Sequence, residues 1–183
     1  MGGLGRIVSL QRGVHPMEND AILLRQVTEN DLEILRLHRN DPGTRVWLED
    51  CREISAAQQS AWYKMGGGRN ILIATRSGQE IGLARVNVDQ ERQTALVGVD
   101  IFHAHRGKGL AKLVFHETCE AAIRGGANKL SLWVFLENQR AVRVYGSQGF
   151  VMDESEPVKW YVRRFPDEPR AVLHAYMRMI RNP

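Results

Sequence analysis

The stretch Ile101–Ala111, reading Ile-Phe-His-Ala-His-Arg-Gly-Lys-Gly-Leu-Ala, constrains this chain more than any other. It joins a segment of strand character, Thr94–Ile101, to one of helical character, Gly109–Ile123. In the first, Val97, Val99 and Ile101 alternate with Leu96, Gly98 and Asp100, a period of two rich in β-branched residues. In the second, Leu110, Leu113, Val114, Cys119, Ala121 and Ala122 recur at roughly helical spacing, and Gly125-Gly126 is a stop signal. A glycine-rich turn opening a helix leaves several amide N–H groups pointing one way, at the positive end of the helix dipole. Such a mouth suits an anion, phosphate above all. Gly107 and Gly109 let a ligand approach the backbone closely, and Arg106 and Lys108 add charge at the rim. Glycine also serves a plain turn through its dihedral freedom, so two glycines alone decide nothing.

A second stretch changes the balance. Lys129–Phe135 reads as a strand and is followed by Asn138-Gln-Arg-Ala141-Val-Arg-Val-Tyr145-Gly-Ser-Gln-Gly149-Phe150. Here the chain resembles the GNAT superfamily of acyl-CoA-dependent N-acyltransferases. That family's phosphate loop, Arg/Gln-x-x-Gly-x-Gly/Ala, is met by Arg106, Gly109 and Ala111 in register. Its second signature, Asn-x-x-Ala-x-x-x-Tyr-x-x-x-Gly-Phe, is met at Asn138, Ala141, Tyr145, Gly149 and Phe150. Arg39–Arg45 with Trp62-Tyr63 is also similar to the branch of amino-sugar-nucleotide and ribosomal-protein N-acetyltransferases.

The remaining chain fits around these two stretches. Residues 1–21 carry Gly2, Gly3, Gly5 and Gly13 without any sustained period and read as a flexible extension, so the domain spans 22–183. Met17 is a second plausible start. Ile22–Val27 reads as a strand, and Thr28–Asp31 as a capping box before a helix through Leu32, Leu35 and Leu37 that ends at Pro42-Gly43. Ser55–Gln58 caps a second helix that carries Trp62. Asn70–Thr75 and Glu80–Val88 form a hairpin about Ser77-Gly78, and Val158–Arg164 and Ala171–Ile180 are the last strands, separated by the loop Phe165–Pro169. With 183 residues and 43% hydrophobic content, the chain can bury one sizeable core. No apolar run reaches membrane-spanning length, and there is no signal peptide with a hydrophobic centre. Cys51 and Cys119 fit a reducing, cytoplasmic setting rather than a disulfide framework, with Cys119 a core residue. The net charge of +4 permits nucleic-acid binding, but the basic residues are scattered and lack interleaved aromatics. Neither nucleic acid nor membrane is therefore an expected partner.

The resemblance implies an α+β (mixed α/β) fold: a central, mostly antiparallel twisted sheet of about seven strands with helices on both faces, splayed between strands four and five. It implies an N-acetyltransferase that moves an acetyl group from acetyl-CoA, as co-substrate, to a primary amine by direct attack, without a metal. By the same resemblance the pantetheine arm pairs with the backbone of Val99, Asp100 and Ile101. The pyrophosphate sits on the amides of Arg106, Gly107, Lys108, Gly109, Leu110 and Ala111, and Asn138 bonds the arm. Asn138 is equally favoured as a helix cap.

Tyr145, seven positions after Asn138, falls on the same helix face and is the expected general acid toward the thiolate. Its alternative is a core tyrosine with a bonded hydroxyl. Asp100 stands nearest the thioester as a candidate base, though a structural carboxylate or a water chain serves as well, and His103 and His105 are ordinary loop residues. In the fold that the resemblance implies, Arg39, Arg45, Trp47, Trp62 and the loop Phe165–Pro169 line the acceptor side. An arginine pair with tryptophans suits an anionic, partly planar acceptor such as an amino-sugar nucleotide, or another small amine. Core packing explains the tryptophans equally well. A protein N-terminus as acceptor, and a non-catalytic acyl-CoA-binding module, stay open; a homodimer is common for this fold. The chain departs from the family pattern at Gly146, at Trp133, where some relatives place a glutamate, and at Phe102-His103.

Overall fold

The computed structural model describes residues 21–163 and 172–182. The N-terminal extension expected from the sequence, apart from Ala21, and the loop Phe165–Pro169 lie outside the described residues.

The chain runs β1 (Ile22–Gln26), α1 (Leu32–Asn40), α2 (Pro42–Arg45), α3 (Ala56–Lys64), β2 (Ile71–Arg76), β3 (Gln79–Asp89), β4 (Thr94–Ile101), α4 (Leu110–Arg124), β5 (Lys129–Phe135), α5 (Gln139–Gly146), β6 (Val151–Met152), β7 (Lys159–Arg163) and β8 (Val172–Arg181). Pro42 and Gly43 end α1, as expected, but Pro42 also opens the four-residue α2, because a proline at the first helical position gives up an N–H that would go unpaired anyway. The eight strands form one sheet in the order β1-β2-β3-β4-β5-β8-β6, with β7 also paired to β8. That is one strand more than expected, the addition being the two-residue β6. Every pairing is antiparallel except β4 with β5.

Both faces of the sheet are covered. Ala74, Ile81, Leu110 and Val114 pack together under α4, and a larger cluster joins Val97, Phe115, Cys119, Leu132, Tyr145 and Phe150 beneath α4 and α5. On the other face Val27, Leu35, Ile73, Leu83 and Phe102 meet Trp62 and Tyr63 of α3. A fully buried phenylalanine such as Phe115 stabilises by about 1.5–3 kcal/mol relative to an exposed one. Burial pushes the Cys119 thiol up to about 11, which suits an inert core residue.

Two local irregularities shape β3 and the end of β4. Ala74 pairs with Gly82 but Thr75 with Glu80, so Ile81 is an extra, bulged residue that turns to the α4 side while Leu83 faces α1 and α3. At Gly82 a Cβ would overlap the carbonyl oxygen of Asp100 and lie 3.2 Å from Ile101 Cα. Glycine therefore lets β3 approach the end of β4 more closely than any side chain would allow. Among the described residues no helix is long and apolar enough to cross a membrane.

Candidate active site

The site begins where two strands part. β4 and β5 pair in parallel at Thr94↔Lys129, Ala95↔Leu130 and Leu96↔Ser131, and no pair comes after these. Beyond that point β4 stays bonded to β3 on its other edge, through Val97↔Val86 to Ile101↔Gly82. Its edge toward β5 is left to face a cavity of about 570 Å³, within the range of small-molecule sites. Gly98, Val99 and Asp100 line one wall and Trp133, Val134 and Phe135 the other, while Asn138, Ala141 and Tyr145 look in from α5.

The spacing of those three α5 residues puts them on one helix face. Asn138 Oδ1 accepts the N–H of Ala141 at 3.2 Å, so it caps α5, the second of its two expected roles. The Tyr145 ring is buried and packs at 4.8 Å from the Phe115 ring. None of the hydrogen bonds of the described residues engages its hydroxyl. Burial, reinforced by the nearby Asp100 carboxylate, raises the phenol well above its ordinary range, which keeps it protonated at working pH.

At the end of β4 the chain makes a 3₁₀ turn, His103–His105, and then the glycine loop. Gly107 and Gly109 adopt φ of 76° and 74°, with Gly109 as the N-cap of α4. An added Cβ at either would meet nothing within 4 Å, so glycine is needed there for its backbone conformation and not for room. Among the described residues no acceptor takes the amide N–H groups of Gly107 to Ala111. Leu110 points its side chain into the core and contributes only its main chain to the mouth.

Arg106 is turned inward rather than placed as a charge at the rim. Its guanidinium donates to Ile101 O at 3.0 Å, Asp41 Oδ1 at 2.8 Å and Thr44 Oγ1 at 2.6 Å, which ties the loop to the end of β4 and to α2. Lys108 Nζ donates to Ala104 O at 3.0 Å and stays on the loop surface.

Asp100 is paired, not poised to accept a proton. Arg85 Nη2 lies 2.6 Å from its Oδ2, reaching diagonally across Gly98, and His38 Nε2 lies 4.0 Å from the same oxygen. Burial alone would raise the Asp100 carboxyl, but Arg85 and His38 together hold it down to about 2, which makes it a weak base. Arg85 and His38 belong to no sequence motif, although each leaves a trace. Arg85 is a charge following the buried Gly82-Leu83-Ala84 run, and His38 sits three positions after the buried Leu35.

The residues expected on the acceptor side divide. Arg39 and Trp47 line the cavity. Arg39 donates to the carbonyls of Asp50 and Arg52, so it staples the loop after α2. Arg45 is buried and its Nη1 bonds Glu53. Neither guanidinium is held out toward a ligand, which corrects the arginine-pair expectation. Trp62 joins the α3 core, where a Cβ at Gly67 would overlap its ring, and it borders a second cavity of about 270 Å³ rather than the first.

The sequence profile of the acetyltransferase (GNAT) family matches residues 32–150, which take in the glycine loop, the parted strands and α5. The chain belongs to this family, whose members are acyl-CoA N-acyltransferases. It is 31% identical over 148 residues to the uncharacterized N-acetyltransferase YdgE of Bacillus subtilis (strain 168), covering 72% of this chain and 93% of that one. It is 24% identical over 166 residues to the mycothiol acetyltransferase of Corynebacterium efficiens, covering 79% of this chain but only 55% of that protein's length. In fold it is similar to spermidine N-acetyltransferase from Vibrio cholerae, crystallised with CoA and spermine. That likeness has a TM-score of 0.73 and 20% identity, and covers 88% of this chain and 95% of that one.

Proposed function

We propose that this chain acetylates a primary amine on a small molecule with an apolar or flat body, drawing the acetyl group from acetyl-CoA with both substrates bound at once. The observation that carries the reading is the parting of β4 and β5, which leaves a bare strand edge facing Tyr145 across one cavity. The residues present fit a coenzyme A molecule. The unpaired amides of Gly107 to Ala111 suit a diphosphate, and the open edge at Val99–Ile101 suits the amide groups of a pantetheine arm. Acetyl-CoA supplies an activated acyl carbon and a thiol leaving group.

The chain's own residues do the rest. The β4 edge near Ile101 offers backbone N–H to the acyl oxygen, a contribution of roughly 2.7–4 kcal/mol per donor in comparable sites. The Tyr145 phenol, kept protonated by its surroundings, gives its proton to the leaving sulfur. Asn138 holds α5 in register, with Asn138, Ala141 and Tyr145 facing the cavity together.

The charges that line the cavity are largely matched: Asp100 is paired with Arg85, Asp50 with Arg52, and Glu49 stands with Arg39, whose guanidinium is committed to two carbonyls. Trp133 and Tyr176, stacked at 5.4 Å, give it a flat aromatic wall, with Lys159 Nζ 3.7 Å from the centre of the Trp133 ring. Small amines with flat or apolar bodies stand ahead of an amino-sugar nucleotide because of this wall and because Arg39 and Arg85 are both engaged within the protein rather than held out to a phosphate.

A thiol-release assay with acetyl-CoA across polyamines, aromatic and aliphatic amines and amino-sugar nucleotides tests the reading. Turnover with a small amine is expected. Tyr145→Phe should lower that turnover by about 10²–10⁴-fold while calorimetry still detects coenzyme A binding. Unchanged turnover in the variant removes the phenol from the reaction. Coenzyme A binding without release toward any amine makes the chain a non-catalytic acyl-CoA-binding module.

A further inference from the structure

His38 is buried on α1, its side chain 5% exposed, with its ring 5.2 Å from that of Phe102. Neither Nδ1 nor Nε2 has a hydrogen-bond partner. Two unpaired ring nitrogens in the interior cost stability, so packing alone gives no reason for an imidazole there. The ring borders the 270 Å³ cavity, whose walls include Leu35, Ile54, Trp62 and Leu83, and which shares Arg39, Leu48, Ile71 and Arg85 with the main cavity. On its other side stands Asp100, whose Oδ2 is 4.0 Å from Nε2 and is already fixed by Arg85.

We propose that His38 takes the proton from the acceptor's ammonium group and that Asp100 stabilises the imidazolium so formed. The proposal rests on the chain being an amine acetyltransferase. An alkyl ammonium has a pKa near ~10, so at neutral pH only about one molecule in 10³ is able to attack. His38 removes one proton from the nitrogen and passes it to water. The lone pair then forms the C–N bond as the C–S bond breaks. The second proton leaves the nitrogen while the Tyr145 phenol protonates the sulfur, and the phenol is restored by that second proton. One free proton is released per turnover, and Asp100 remains a carboxylate throughout.

The charged and titratable groups around His38 permit this division of roles. Asp100 faces it from β4, paired to Arg85 of β3. On the Phe102 side His38 also borders a separate cavity of about 250 Å³, which Glu80 of β3, bonded to Arg25, lines as well. Asp41, His103 and His105 border that same cavity, Asp41 being held by Arg106 and His103, and Arg39 borders the inner one. α3 offers only the uncharged Gln58 and Gln59. Asp100 is thus the one carboxylate among them placed at ion-pair distance from the imidazole.

The test compares kcat/KM of the wild type and His38→Gln from pH 6 to 10, with an alkyl amine and with an aromatic amine that is neutral throughout. With the alkyl amine the variant should lose about 10²-fold at pH 7, and the deficit should shrink as pH approaches 10. With the aromatic amine the two should nearly coincide. A deficit that is the same at every pH and for both amines, or no deficit, overturns the proton role. A second readout needs no turnover. In ¹⁵N-histidine-labelled full-length protein, the imidazole signals missing from His38→Gln should change position once Asp100→Asn is introduced. Signals left where they were overturn the pairing. Failure of the acetyl-transfer reading looks different, since the wild type would then acetylate no amine at all.

Discussion

The two halves of the site are built from different parts of the chain. On the β4–α4 side the groups proposed to act are main-chain amides and carbonyls, supplied by one continuous stretch from Val97 to Ala111. On the α1–α3 side they are side chains from separate elements: His38 from α1, Arg85 from β3, and Glu49 and Asp50 from the loop after α2. A main-chain site is indifferent to most side-chain replacements but intolerant of anything that moves the backbone. A side-chain site is the reverse. The contrast predicts which substitutions strike which half.

The largest effect is expected where the halves share one backbone contact. A Cβ at Gly82 would overlap Asp100 O, so Gly82→Ala must push β3 away from the end of β4. Overpacking of this kind costs about 1–3 kcal/mol, roughly 5 °C in melting temperature for a chain of this size. It should also disturb the Arg85–Asp100 pair and the open strand edge together, lowering both amine turnover and coenzyme A affinity. A variant that melts and turns over like the wild type would show that the strands do not approach so closely.

A smaller and one-sided effect is expected at the glycine loop. A Cβ at Gly109 meets nothing, so Gly109→Ala acts through φ of 74° alone, at a cost of about 1–2 kcal/mol. Coenzyme A should bind about tenfold more weakly, with the KM of the amine nearly unchanged. Equal losses for both substrates would abolish the distinction between the halves.

The same contrast explains what could be read from the sequence. A main-chain anion mouth of the kind proposed depends on glycines at fixed spacing, and Gly107 and Gly109 do occupy the left-handed region. The Ser77-Gly78 hairpin is legible for a similar reason, with φ of 50° and 76° at the turn. Side-chain sites carry no such local mark. Leu37 fits the apolar spacing of α1 yet is 55% exposed, while His38 takes the buried place beside Leu35. Arg106 satisfies the family pattern but its charge is spent on Asp41 and Thr44, residues whose proximity only the fold creates. Trp62 belongs to a core that spacing does not distinguish from a pocket wall. The position of β8 between β5 and β6 comes from long-range pairing, which no local pattern encodes.

The smallest expected effect concerns how the side-chain half is anchored. α1 begins at Asp31, whose two carboxylate oxygens take Arg25 Nη1 at 2.8 Å and Nη2 at 2.7 Å, while Thr28 donates its N–H and hydroxyl to Oδ2. Arg25, followed by the Thr28 donors, holds the Asp31 carboxyl at about 2 against burial, from an ordinary 3.8. A carboxyl whose pKa is depressed on folding stabilises fully above its unfolded value and loses that stabilisation as pH falls through the folded one, here between about 4 and 2. Because Arg25 is 39% exposed and its charge is screened, the contribution is about 1 kcal/mol rather than the full shift. α4 rests instead on apolar burial of Val114, Phe115 and Cys119, which does not titrate in that range. Hydrogen exchange at pH 3 should therefore show α1 opening more readily than at pH 6, with α4 changing less, and Asp31→Asn should bring the α1 behaviour to neutral pH. If α1 and α4 loosen in step as acid is added, the two halves open as a single cooperative unit, and the ion pair gives α1 no independent hold.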